Sequence, residues 1–192
     1  MNNLIKVALI YGSTREGRFC DTVANWTAEE IWSRNDFTLD LIDPAELGLP
    51  PRNGGADEAA LTDLRRRLEA AEAFVVVTPE YNRGYPAALK FLIDSAYEPW
   101  QAKPVAFVSY GGISGGLRAV EQLRLVFAEL HAVTIRDSVS FANAWNRFDD
   151  KGRLIDPEDA RKAMATMLSR LHWWARVLRD ARNAAPYGEV AA

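Results

Sequence analysis

Ile5-Lys-Val-Ala-Leu-Ile-Tyr-Gly12-Ser-Thr-Arg-Glu-Gly17-Arg-Phe-Cys-Asp-Thr-Val-Ala24 contains a short apolar run, Val7 to Ile10, that stops at Gly12. Small, polar and charged residues follow, and an apolar-periodic segment begins near Phe19. The order is strand, tight loop, helix, which aims backbone N–H groups and a helix N-terminus at an anion. Ser13 and Thr14 add hydroxyl donors, while Arg15 and Arg18 add planar guanidinium groups suited to phosphate oxygens. The stretch reads as a phosphate cradle, against the plainer alternative of a strand-to-helix turn carrying surface arginines. Two phosphate loops are excluded. Gly12 and Gly17 have Walker spacing, but Arg18 and Phe19 stand where that loop needs Lys and Ser or Thr. Thr14 stands where a dinucleotide fingerprint needs its second glycine. A terminal monophosphate, as on a mononucleotide, is what remains.

Downstream, Val23, Trp26, Ala28, Ile31 and Trp32 give a helical stripe ending about Ser33, and Phe37–Ile42 alternates as a strand. Residues 43–56 carry three prolines and three glycines and read as an irregular excursion. Leu61, Leu64 and Leu68 mark a second helix, with Arg65, Arg66 and Arg67 read as its solvated face. Ala73–Thr78 is a continuous apolar run of the kind buried on both faces of a parallel sheet. Pro79-Glu-Tyr-Asn-Arg-Gly-Tyr-Pro86 follows, with Pro86 expected in the first turn of a third helix. Val105–Val108 is a fourth strand, leading into Ser109-Tyr-Gly-Gly-Ile-Ser-Gly-Gly116. A helix carries Val120, Leu123, Phe127 and Leu130, and residues 133–141 bracket a fifth strand. After a polar loop, 142–156, a last helix runs from about Pro157 to Arg182, and the tail from Ala184 is expected to fray.

Five strands alternating with five helices require a parallel sheet with right-handed crossovers and helices on both faces. The expected architecture is a single α/β, flavodoxin-like three-layer domain over residues 1–183, strand order 2-1-3-4-5, with 184–192 as a tail. That order sets strands 1, 3 and 4 side by side, so the loops at 12–19, 79–86 and 109–116 converge on one crevice at the carboxyl ends of the strands. The first supplies a phosphate end. The second offers an aromatic ring and an amide for a flat ligand. The third has four glycines in eight residues, letting backbone N–H groups approach a planar ring. Phosphate at one end and a flat heteroaromatic at the other outline a flavin mononucleotide (FMN).

Global properties narrow the class. With 192 residues the chain suits one α/β core, and its formal net charge of −3 leaves no basic footprint for nucleic acid. One cysteine, Cys20, excludes an internal disulfide, and two histidines, His131 and His172, make no histidine-rich metal centre. No signal-like segment and no run of membrane-spanning length is visible, so the expected location is the cytoplasm, without a membrane partner.

The chain resembles the NADPH-dependent FMN reductase family, flavodoxin-like oxidoreductases that include quinone, chromate and azo-dye reducers. The likeness covers roughly residues 5–141. Its motifs are Gly12-Ser-Thr-Arg15 with Gly17, Pro79-Glu-Tyr-Asn82 with Gly84, and Ser109-Tyr-Gly-Gly112 with Gly115-Gly116-Leu-Arg118-Ala. Pro86-Ala-Ala-Leu-Lys90 with Ile93-Asp94 adds to it. The resemblance implies that Ser13 and Arg15 bind the FMN phosphate and that Pro79, Glu80, Tyr81 and Asn82 line the region between phosphate and ring. It also implies that Ser109, Gly111 and Gly112 contact the isoalloxazine, with Tyr110 counted in the same set. Three positions depart from the family pattern: Arg18 replaces a small hydroxyl residue, Cys20 an Asn, and Phe91 an Asn. Arg18 is expected to keep phosphate affinity through its charge.

The implied activity is hydride transfer from NADPH, with NADH possible, through FMN to a quinone, free flavin or similar small acceptor. No side-chain catalyst is needed, since the flavin carries the hydride. Glu80 and Asp94 are read as structural or interface charges, His131 as a helix-end or surface histidine, and Cys20 as a small packed residue. Trp100 and Trp145 fall in loops, where they would wall the site or a subunit contact. The resemblance further implies a homodimer or homotetramer with the helix after Pro86 at the interface and Leu89, Leu92 and Ile93 supplying apolar surface. Two other readings stay open here: a flavodoxin-type electron carrier, which the modest charge disfavours, and a flavin-free binding module on the same fold.

Overall fold

The computed structural model describes residues 4–49 and 58–190. Strands β1 (Ile5–Tyr11), β2 (Phe37–Ile42), β3 (Ala73–Pro79), β4 (Pro104–Gly111) and β5 (Val133–Ala142) are all parallel, in the order β2-β1-β3-β4-β5 of a flavodoxin-like sheet. Helices α1 (Cys20–Trp32) and α5 (Glu158–Ala184) cover one face; α2 (Glu58–Ala70), α3 (Ala87–Asp94) and α4 (Leu117–Glu129) cover the other. The pleat explains the layers. Ile5, Val7, Leu9 and Tyr11 point into the α1–α5 core, while Ala8 and Ile10 point into the opposite one. β3 divides in the same way, Val75 and Val77 against Phe74 and Val76, which is why it reads as apolar at every position. Part of the 43–56 excursion, residues 50–56, lies outside the described residues.

Central strands pack closely enough to dictate a residue. Gly12 N–H donates to Val77 O at 2.7 Å, and a Cβ on Gly12 would sit 2.4 Å from that oxygen. Only glycine lets β1 turn out of the sheet beside β3. At the end of β4, Gly116 caps α4 with φ +84°, and a Cβ there would come within 2.8 Å of Ser109 Cβ.

Several expectations shift. Pro86 is the N-cap of α3 and lies just outside its first turn. Trp100 walls no site: it is fully buried, stacked near Phe74 and Phe127, and its Nε1–H donates to Ile93 O (3.2 Å) and Ala96 O (3.0 Å). A buried indole needs that partner for its one polar atom, and the bond ties the end of α3 to the core. Within the tail, Tyr187–Val190 form a short helix, α6, with Tyr187 Oη 2.9 Å from His131 Nδ1. Leu89, Leu92 and Ile93 are fully buried against the sheet and supply no free surface. Arg67, expected in solvent, pairs with Asp40 and reaches the Leu41 carbonyl on edge strand β2. Among the described residues, no helix is long and apolar enough to cross a membrane.

Candidate functional site

The loops after β1, β3 and β4 meet at one edge of the sheet and are joined to one another. Ser13 Oγ, fully buried, lies 2.9 Å from Tyr81 Oη and accepts the Arg15 N–H at 3.4 Å. The Arg15 guanidinium lies over the Tyr81 ring, 3.7 Å from its centroid. Glu80 N–H donates to Tyr110 O at 3.2 Å, linking second loop to third. The Glu80 carboxylate accepts Nη1 of Arg118 (2.8 Å) and its backbone N–H (3.1 Å) in the first turn of α4. The turn after β5 joins the assembly through Asn143 N–H, which donates to Gly112 O at 2.9 Å.

At the first loop, residues 14–17 are exposed. Among the described residues, the N–H groups of Thr14, Glu16 and Gly17 meet no acceptor and Arg15 has no carboxylate partner. This is a donor set with its donors free. Helix α1 starts immediately behind it, its N-terminal end adding a partial positive charge. Gly112 has open space where a Cβ would stand. Two large apolar side chains, Ile113 and Trp145, are exposed beside Gly112 and its partner Asn143. The chemistry is anion-binding at one end and flat and apolar at the other, which fits a flavin mononucleotide.

Three residues expected to contact a ligand have side chains bonded or packed within the protein. Arg18 is committed within the protein: it pairs with both oxygens of Asp43, donates to Asp21 at 2.8 Å and reaches the Ser13 carbonyl. It holds the loop's shape, and those bonds leave its charge neutralised. Tyr110 turns away from the crevice into the α1–α5 core, its ring 5.9 Å from Phe19 and its Oη without a hydrogen-bond partner. Burial pushes its phenol far above the ordinary range, so it stays neutral. Ser109 Oγ donates to Gly115 O at 2.8 Å, fastening the glycine loop from beneath.

Glu80 carries no proton for chemistry. Burial pushes its carboxyl up, but hydrogen bonds from Ser114 and Arg118, with the Arg118 charge, outweigh that and hold it below the usual range. Cys20 is fully buried and desolvation pushes its thiol up, as a packed residue requires. His131 sits where α4 gives way to β5, at the end of the sheet away from the three loops. Asp43, which the sequence places in the irregular 43–56 excursion, is the partner of Arg18, and no spacing in the sequence ties the two together.

A family model described as NADPH-dependent FMN reductase matches residues 5–146. An NAD(P)H-dependent FMN reductase of Schizosaccharomyces pombe is 37% identical over 122 residues, 58% of this chain and 60% of that protein, so less than two thirds of this relative's length is spanned. An NAD(P)H:quinone oxidoreductase of Solanum tuberosum is 32% identical over 179 residues, covering 86% of this chain and 91% of that one. Among solved structures, the flavoenzyme NAD(P)H:(acceptor) oxidoreductase FerB of Paracoccus denitrificans shares the fold with a TM-score of 0.67 and 23% identity, over 90% of this chain and 97% of its own.

Proposed function

The chain belongs to the NADPH-dependent FMN reductase family, oxidoreductases of the FMN and quinone reductase type, and on that premise we propose that its three-loop crevice holds FMN and serves NAD(P)H-dependent reduction of small acceptors such as quinones. The observation that carries this is the exposed first loop, with free N–H groups and an unpaired Arg15 stacked on Tyr81, bonded to a glycine loop with open space at Gly112. FMN held by these loops would supply the redox chemistry of hydride and electron transfer. Ser13, Thr14 and Arg15 take the phosphate. Pro79, Glu80, Tyr81 and Asn82 shape the middle, and Gly111 and Gly112 present backbone to the ring. Arg18, Ser109 and Tyr110 act behind them, fixing the loops.

The chain's own residues then orient and shield. Tyr81 keeps Ser13 and Arg15 in register, and Ile113 and Trp145 give the rim an apolar surface that suits a quinone ring. NADPH is the reductant in this reading, with NADH possible. A homodimer or homotetramer belongs to the same reading. What supports it is Leu125, 75% exposed, beside Val126, Leu130, Lys90 and Asp94 between α3 and α4. A cytoplasmic location also belongs to it, and a lone buried thiol suits a reducing compartment.

Titration of the flavin-free protein with FMN, followed by flavin fluorescence, tests the assignment. Saturable binding of one FMN per chain is expected, with Arg15→Ala weakening it about tenfold, the scale of one charge-assisted hydrogen bond. Absence of binding at high FMN would remove the reductase assignment.

A further inference from the structure

The hairpin after β3 breaks a local rule. Tyr81 and Gly84 exchange N–H to O bonds at 2.9 and 3.0 Å, enclosing Asn82 (φ 50°) and Arg83 (φ 69°). Two central residues with positive φ make a tight hairpin turn of the kind whose second position strongly favours glycine. Asn82 tolerates this region of backbone space; a long arginine side chain carries a steric cost there that glycine would not. Among the described residues nothing offsets it: Arg83 has no carboxylate partner there, and its one tether, Gln122 Nε2–H to Arg83 O at 3.0 Å, uses a carbonyl that any residue would provide. A strained position whose side chain has no partner among the described residues points to a partner outside the chain.

The charges around the crevice say which kind. Of the four arginines in or next to the three loops, Arg18 is paired with Asp43 and Asp21 and Arg118 with Glu80. Arg15 and Arg83 keep free guanidinium groups. The FMN phosphate accounts for Arg15. Arg83 sits on the exposed tip of a hairpin locked at its base by two hydrogen bonds and at its tip by α4. It extends from β3, the middle of the three strands whose loops form the crevice. The two nicotinamide reductants differ by a single phosphate on the adenosine ribose, and a planar guanidinium matches phosphate oxygens in pairs.

We infer that Arg83 binds the ribose 2′-phosphate of NADPH and sets the preference for NADPH over NADH. The inference rests on the reductase reading above. Glycine at position 83 is the informative replacement, because it relieves the backbone while removing the charge. With FMN-loaded protein, calorimetric titration should show 2′,5′-ADP binding at least tenfold more tightly than 5′-AMP, and Arg83→Gly should erase that advantage. The same variant should lower the ratio of kcat/KM for NADPH to that for NADH about tenfold, keep its FMN affinity, and melt at the same temperature as the wild type or higher. Arg83→Lys should retain part of the discrimination. Arg83 has no such role if the wild type binds both probes equally, or if Arg83→Gly weakens both alike or leaves the advantage in place. Failure of the reductase reading shows separately, as absent FMN binding before any probe is added.

Discussion

Arg15 and Arg18 stand three positions apart on one loop, and their surroundings give them opposite duties. The Arg18 side chain is 9% exposed and its partner Asp43 11%, so the pair lies out of water, and the hydrogen bonds that Arg18 donates to Asp43 and Asp21 hold its proton more tightly than usual. Arg15 is exposed and free of carboxylates. Removing a partner from a buried pair strands a charge, whereas trimming an exposed side chain usually moves stability by no more than about 0.5 kcal/mol. Arg18→Ala should therefore cost about 3 kcal/mol in denaturant unfolding, with its effect on FMN arising only through a loosened loop. Arg15→Ala should unfold like the wild type. A stable Arg18→Ala protein that has lost FMN, beside an Arg15→Ala protein that keeps it, would reverse the two roles. In the sequence the two look alike, both guanidinium groups beside a glycine. What separates them is a carboxylate 25 positions away that only the fold brings near.

At the scale of elements, hydrophobic period located nearly every strand and helix, because each buries a face against the sheet. What period cannot show is how an element ends. The last turn of α2 leaves carbonyls without helical partners, and Lys103 supplies them: its Nζ donates to Leu68 O and Glu69 O, each at 2.9 Å. The sequence places this lysine just ahead of β4, with nothing that ties it to α2. Burial, with the nearby Arg182 charge, pushes its ammonium down to about 8, against opposing help from Glu69 and Glu72. The sign of the consequence follows. An unfolded lysine keeps its proton to about 10.5, the folded one releases it near 8, so between those values folding expels a proton and stability rises with pH. Below pH 8 both states are charged and the folded state carries the full burial penalty. Unfolding free energies measured from pH 7 to 10.5 should climb more steeply for the wild type than for Lys103→Met. Parallel curves would mean that Lys103 keeps its proton throughout, secured by the two carbonyls.

The whole molecule was the most legible scale, because alternating strands and helices admit few topologies and the 2-1-3-4-5 order brings three loops to one edge whatever their side chains do. Side-chain direction was not legible. Trp100 and Trp145 both read as loop tryptophans, yet one fills the core and the other is 59% exposed, and Tyr110 faces the core although Gly112, two residues on, has open space where a Cβ would stand. Such outcomes depend on packing against segments far away in the chain. The site and the fold are nonetheless coupled through mass action: a ligand that holds all three loops binds the folded chain alone. At an FMN concentration 100 times its Kd, stabilisation should reach about 2.7 kcal/mol, and for a chain of this size that is a rise in Tm of about 5–10 °C. Arg15→Ala, with tenfold weaker binding, should gain only about half as much at the same FMN concentration while matching the wild type without flavin. Riboflavin, which lacks the phosphate, should separate the two ends of the crevice. If it raises the Tm of the wild type as far as FMN does, the first loop contributes nothing to binding and the phosphate cradle is misassigned; a shift only with FMN places the decisive contacts at residues 13–15.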